Sequence, residues 1–224
     1  MIRGLREILP DNGKAFSSIL ISLKTRNFRL YFTGMCVSLT GTWMQQIAMS
    51  WLVYRLTGSV FLLATVTFMA QIPILLVTPL MSVFVDRFDR QKILILTQSL
   101  SMVQALSMAA LTLSGVIEVW HILILSLLIG CINALDNPTR QAFYPSLVAK
   151  EHLSNAIALN SAVINGSRLI GPAVGGVLIG IFGEGLCFLL NGISYLGVII
   201  ALFLIRLSPF TVQHRSEEHT SELQ

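Results

Sequence analysis

The chain has 224 residues, 54% of them hydrophobic and only 12% charged, with a formal net charge of +4. A soluble domain carries about 25% charged residues, so a single water-exposed core is excluded and the composition reads as an integral membrane protein. An outer-membrane barrel is excluded as well, because the apolar runs far exceed its alternating strands of about 10 residues.

Residues 1–29 read as a cytoplasmic lead-in. They lack a compact apolar core followed by a small-residue cleavage site, and Lys24, Arg26 and Arg29 stand just before the first apolar run. A membrane helix needs about 20 largely apolar residues. The sequence predicts six such helices within 30–207: Leu30–Val53, Val60–Val85, Ile93–Leu113, Val119–Gln141, Ala156–Phe182 and Leu186–Ile205. With the N-terminus inside, twelve basic residues fall on the cytoplasmic side and one, Arg55, on the other, as the positive-inside rule requires.

Residues 208–214 then begin a cytoplasmic linker. The last ten residues, 215–224, break abruptly in character, with three glutamates and no apolar residue except Leu223. They resemble the in-frame translation of a short-read sequencing adapter and are set aside from fold reasoning; the alternative is a disordered acidic tail. On the adapter reading the native frame is cut near His214, and the chain is expected to be a fragment. Cys36, Cys131 and Cys187 lie inside apolar spans without pairing spacing and read as small apolar residues.

Four stretches carry chemistry. Between the second and third spans, Asp86, Arg87, Asp89, Arg90 and Lys92 place five charges in seven residues, acid first and bases after. Such a turn serves either as an ionic clasp at the bilayer surface or as a set of topological anchors. In the fifth span Arg168 sits near the bilayer midplane, where a charge costs at least about 2.5–3.5 kcal/mol. It is expected to face the bundle interior, with Ser161 and Asn165 on its helical face and Pro172 kinking the helix beyond. Gly171, Gly175 and Gly176 strip one face for close helix approach. In the fourth span Asp136 and Arg140 are one turn apart and pair. Asp136 is the candidate proton-binding or gating carboxylate and a candidate partner for Arg168; a helix-end ion pair is the alternative for Arg140. In the first span Gln45 and Gln46 point toward a cavity or another helix, and only one of the two can face a cavity fully.

The charged turn, Ser82-x-x-x-Asp86-Arg87-x-Asp89-Arg90-x-Lys92, resembles the loop between helices two and three of the major facilitator superfamily, Gly-x-x-x-Asp-Arg-x-Gly-Arg-Arg/Lys. Gly171-Pro172-x-x-Gly175-Gly176 resembles the fifth-helix signature of its proton-coupled exporters, and Gly41-Thr-Trp-Met-Gln-Gln46 and Phe188-Leu-Leu-Asn-Gly-Ile-Ser-Tyr195 resemble the bacterial branch that includes the enterobactin exporter. Ser82 and Asp89 depart from the superfamily glycines, and the first span lacks the acid found in many proton-coupled members. The resemblance implies an all-α membrane protein of six transmembrane helices as two inverted three-helix repeats, the N-terminal half of a twelve-helix transporter. It implies proton-coupled export of a small organic compound, a drug or siderophore, by alternating access in the bacterial inner membrane. Asp86, Arg87, Asp89, Arg90, Lys92, Gly171, Pro172, Gly175 and Gly176 would act in gating. Gln45, Gln46, Asp136, Arg140, Asn165 and Arg168 would act in coupling or the substrate pathway. Expected partners are the lipid bilayer, the small-molecule substrate, protons and the missing C-terminal half. No cofactor, metal or nucleic acid is expected, and no phosphate loop or nucleophile constellation suggests an enzyme. An importer or symporter of the same fold, or a non-transporting six-helix scaffold or sensor, are the alternatives.

Overall fold

The structure is a computed structural model that describes residues 21–85 and 87–206, with backbone alone at 82–84. Asp86, the lead-in before residue 21, the linker and the adapter-like residues 215–224 lie outside the described residues. Six long α-helices follow in order: α1 Arg26–Thr57, α2 Val60–Val85, α3 Arg90–Leu113, α4 Val119–Phe143, α5 Leu153–Phe182 and α6 Glu184–Leu204. Short 3-10 turns occur at Ile21–Lys24, Tyr144–Ser146 and Lys150–His152, and no strand occurs among the described residues. Helices are the solution that hydrocarbon imposes, since each satisfies its own backbone hydrogen bonds.

Short, well-capped connections set the helix ends. Gly58 takes a left-handed conformation (φ 61°) and its N–H closes onto the Tyr54 carbonyl, which stops α1. Asp89 caps α3 by accepting a hydrogen bond from the Gln91 N–H at 3.0 Å. Glu118 and His121 form a reciprocal capping box at the start of α4. The helices overrun the predicted apolar spans at several ends, because charged residues such as Arg26 and Glu184 extend a helix beyond its apolar centre without breaking it. α5 runs unbroken through Pro172, as α2 does through Pro73 and Pro79.

Among the described residues five helices are long and apolar enough to cross a membrane, and α1 falls short. At 32 residues it is long enough, about 48 Å by helical rise. Ser38, Thr40, Thr42, Gln45, Gln46 and Ser50 lower its apolar content. α1 packs on α5 and α6, α3 on α4 and α6, and α2 on α4, so the helices run in the order α2–α4–α3–α6–α1–α5. Only 11% of the apolar stretch of α2 and 17% of that of α5 is buried, against 50% for α3 and α6. The two ends of the row are thus its most exposed members.

Two large apolar clusters fill the bundle, with a small third at Ala105, Tyr195 and Ile199. One, around Phe28, Tyr31, Leu94, Phe143 and Leu202, lies toward the start of α1. The other, around Ala48, Leu52, Met108, Ile122 and Phe188, lies toward its end. Between them sits a polar layer. The outer surface stays apolar, with Phe61 77%, Leu75 76% and Leu169 77% exposed, which water tolerates poorly and lipid does not penalise. Of the three cysteines, all free, Cys187 is buried as expected, whereas Cys131 is exposed on the outside of α4.

Glycines set the tightest seams. A Cβ at Gly130 would fall 2.5 Å from the Ala70 carbonyl oxygen across the α2–α4 contact, and backbone cannot swing aside. Gly130→Ala is therefore expected to cost about 1–3 kcal/mol through overpacking. Gly176→Ala, where nothing lies within 4 Å of the new methyl, should leave stability unchanged. Thermal unfolding midpoints in detergent separate the two. Equal midpoints would mean that the α2–α4 seam is looser than described.

Candidate functional site

Three polar faces at helical spacing converge in the layer between the apolar clusters. α3 presents Thr97, Ser101 and Gln104, each no more than 3% exposed, and α4 presents Asn133, Asp136 and Arg140. α1 presents Ser38, Thr42 and Gln45. The 3.6-residue period turns each set to one side. Of these, Ser38, Thr42, Gln45, Ser101, Asn133, Asp136 and Arg140 line a cavity of about 270 Å³, closed further by Gln98, Trp43, Asn160 and Tyr195. A second cavity of about 130 Å³ shares Gln45, Gln46 and Asn133 and opens toward Gln71 of α2.

Asp136 anchors the wall of the larger cavity and is 2% exposed. A carboxylate there costs several kcal/mol unless its oxygens are satisfied, and they are. One oxygen, Oδ1, accepts from Thr97 Oγ1 at 2.6 Å and Gln98 Nε2 at 2.8 Å. The other, Oδ2, accepts from Arg140 through Nε at 3.1 Å and through Nη2. The pair expected from the one-turn spacing is thus present, and it consumes Asp136. The second expectation, a bond from Asp136 to Arg168, is not met: Arg140 shares a helix turn with the acid and reaches it first. The Arg168 guanidinium lies instead over the Trp43 ring, 5.0 Å from its centroid, a cation–π contact.

A chain of amides continues the layer. Asn191 donates to Gln45 at 2.7 Å, Gln45 to Gln104 at 3.2 Å, and Gln104 to the Leu125 carbonyl at 3.2 Å. The chain ties α6, α1, α3 and α4 together. Gln45 is buried within it, whereas Gln46 is exposed and lines both cavities. Gln98 completes its bond to Asp136 with its amide nitrogen and leaves Oε1 buried with no partner among the described residues. Thr97, Gln98, Gln104, Asn160 and Tyr195 were not singled out from the sequence. The 97, 101, 104 spacing on α3 is the signal that would have found the first part of this set.

The charged turn binds neighbouring helices through residues at the start of α3. Arg87, Asp89 and Lys92 are exposed; Asp89 is occupied as the cap of α3. Arg90 donates to the Ala142 carbonyl at the end of α4 at 3.1 Å. Gln91, also missed from sequence, donates to the carbonyls of Leu202 and Ile205 at the end of α6. The glycine patch of α5 divides. Gly171 and Gly175 face Trp43 and Met44 of α1, while Gly176 faces open space. Ser161, Asn165 and Arg168 lie on the exposed side of α5, and Asn165 bonds the Ser161 carbonyl at 2.8 Å.

The described residues thus form a polytopic helical bundle with a polar, charge-bearing cavity at mid-height. Residues 17–221 match the model of the transmembrane secretion effector family, and the chain belongs to this family of MFS transporters. It is 30% identical over 168 residues to the staphyloferrin A transporter of Staphylococcus aureus, covering 75% of this chain and 42% of that protein. It is 27% identical to macrolide efflux protein A of Streptococcus pyogenes, covering 69% of this chain and 39% of the relative. With the multidrug efflux pump Tap of Mycolicibacterium fortuitum the identity is 23%, covering 76% of this chain and 43% of the relative. The chain thus spans less than half the length of the curated relatives it matches. No solved structure matches it.

Removing Asp136 alone strands a largely buried guanidinium. Asp136→Ala is expected to lose about 3 kcal/mol, and Arg140→Ala combined with it should recover part of that loss. A double-mutant cycle by chemical unfolding in mixed micelles measures the coupling. Strictly additive effects would mean that the pair contributes nothing beyond its separate contacts.

Proposed function

We propose that this chain forms the N-terminal half of a secondary active transporter that exports a small organic compound, such as a drug or siderophore, in exchange for protons. One observation carries the reading: a carboxylate, Asp136, is buried at the wall of a polar cavity and held by one arginine and two neutral donors. Protonation of Asp136 would release Arg140, and the freed guanidinium and the unpartnered Gln98 Oε1 would then face the cavity. Loading of substrate and of proton would thereby compete for one network.

The packing supports two inverted three-helix repeats. Exchanging α1 with α4, α2 with α5 and α3 with α6 turns the α1–α6 contact into α4–α3 and the α2–α4 contact into α5–α1, both of which exist. The α3–α6 contact maps onto itself. A second half would seat against the exposed faces of α2 and α5, the ends of the row, and complete a midplane site. The length of the relatives supports such a half, and two of the three bear efflux in their names.

Orientation follows from charge. Lys24, Arg26, Arg29, Arg87, Arg90, Lys92, Lys150 and Arg206 gather at the end that holds the starts of α1, α3 and α5, which supports a cytoplasmic side for that end and the N-terminus. The turn at Asp86–Lys92 would act there as a clasp. Arg90 and Gln91 already bind the ends of α4 and α6, so a pull on the turn would reach both helices. Gly176, on the open side of α5, would meet the second half, while Gly171, Pro172 and Gly175 shape its seat on α1.

Inverted membrane vesicles containing the full-length transporter, energised and supplied externally with a fluorescent cationic dye, provide the test. Uptake should stop when the proton gradient is collapsed. In Asp136→Asn, uptake should become independent of the gradient or vanish. Uptake that ignores the gradient in the unaltered protein would rule out antiport, and normal coupling in Asp136→Asn would remove Asp136 from the proton path.

A further inference from the structure

On the face of α1 turned away from the polar cavity, α1 and α6 enclose an apolar groove of about 570 Å³. It exists because the helices touch at Gly34 and Gly197: a Cβ at Gly34 would already lie 3.0 Å from the Gly197 carbonyl oxygen. With no side chains at the crossing, a trough is left between flanking rows. Leu30 and Val37 form one wall and Ile193, Ile200 and Leu204 the other. Val37, Ile193, Ile200 and Leu204 are between 47% and 58% exposed, so the trough opens outward.

The groove has a charged mouth. Arg29 lines it at the basic end, and Arg26 sits one turn earlier on the same face of α1. Arg206 is drawn alongside because its carbonyl accepts from Asn27 at 2.9 Å. All three arginines are exposed, and among the described residues none of the three guanidinium groups forms an ion pair. From Ile193 to Leu204 the trough runs about 16 Å by helical rise, close to the about 15 Å depth of one leaflet of a 30 Å hydrocarbon core.

We propose that this groove is a binding site for one anionic phospholipid of the leaflet at the basic end, its phosphate held by Arg26, Arg29 and Arg206 and an acyl chain laid against Gly34 and Gly197. Guanidinium groups bind phosphate in a paired, directional way, and basic pockets between membrane helices are the chemistry by which anionic headgroups are recognised. The groove lies on the outer side of the α6–α1 pair, away from the cavity and away from the open faces of α2 and α5. A lipid there would brace the α1–α6 crossing.

Native mass spectrometry of the purified chain in detergent, supplied with equal amounts of dioleoyl-phosphatidylglycerol and dioleoyl-phosphatidylcholine, tests the site. The unaltered protein should retain one phosphatidylglycerol in preference to phosphatidylcholine. The Arg26→Gln/Arg29→Gln variant should lose that preference by about thirtyfold, the contribution of two basic groups at a membrane surface. Gly197→Leu, whose Cβ meets only Gly34 Cα at 4.0 Å, should fill the trough and lower retention of both lipids. Circular dichroism confirms that each variant keeps its helix content. Equal retention of the two lipids, or a preference unchanged in the arginine variant, overturns the proposal. So does a dimeric mass that Gly197→Leu abolishes, since a second copy would then occupy the groove.

Discussion

In hydrocarbon no water is at hand to solvate a buried polar group, so every such group must find its partner inside the bundle. This chain accepts that constraint at one level of its height. Between the two large apolar clusters, Asn191, Gln45 and Gln104 bond one another across α6, α1 and α3, and Asp136 of α4 is held by Thr97, Gln98 and Arg140. An apolar layer of the same volume would hold four helices together at least as well. What the polar layer adds is register, because each bond has one geometry. Outside the layer, α2 seats on α4 through the Gly130 seam, and α5 seats on α1 through Gly171 and Gly175 with Ser167 beside Thr40 and Arg168 over Trp43; these are the two helices with the most open faces. Rigid centre and exposed flanks follow from the same choice of residues.

The two ends of the bundle are built differently. At the basic end, side chains reach across to the terminal carbonyls of neighbouring helices: Arg90 to Ala142, Gln91 to Leu202 and Ile205, and Asn27 to Arg206. These groups are the orphan acceptors that every helix end leaves. At the opposite end one bidentate pair, Arg55 with Glu184, joins α1 to α6 at 2.8 and 3.2 Å. Glu184 is 5% exposed, so that pair is more than a loose surface contact.

Much of the fold was legible because a membrane helix declares itself by length and apolarity, and because Asp136 and Arg140 are one turn apart on a single helix. The cavity was only half legible. Its α1 and α4 walls contain residues that stand out in apolar runs, whereas its α3 wall is made of Gln98 and Ser101, mild residues whose role depends on what faces them. The partner of Arg168 could not be read at all, since whether α5 turns it toward Asp136 or toward Trp43 is fixed by tertiary packing at Gly171. The same packing splits the glycine patch: Gly175 and Gly176 are adjacent in sequence and about 100° apart around the helix, so one meets α1 and the other does not.

The account stands on Asp136 being a carboxylate that takes up a proton within the folded bundle. Infrared difference spectroscopy of the reconstituted protein during acidification observes this directly, without a substrate. The account predicts a carbonyl stretch of a protonated, poorly hydrated carboxyl group that is present in the unaltered protein and missing in Asp136→Asn. The same band persisting in Asp136→Asn would contradict it.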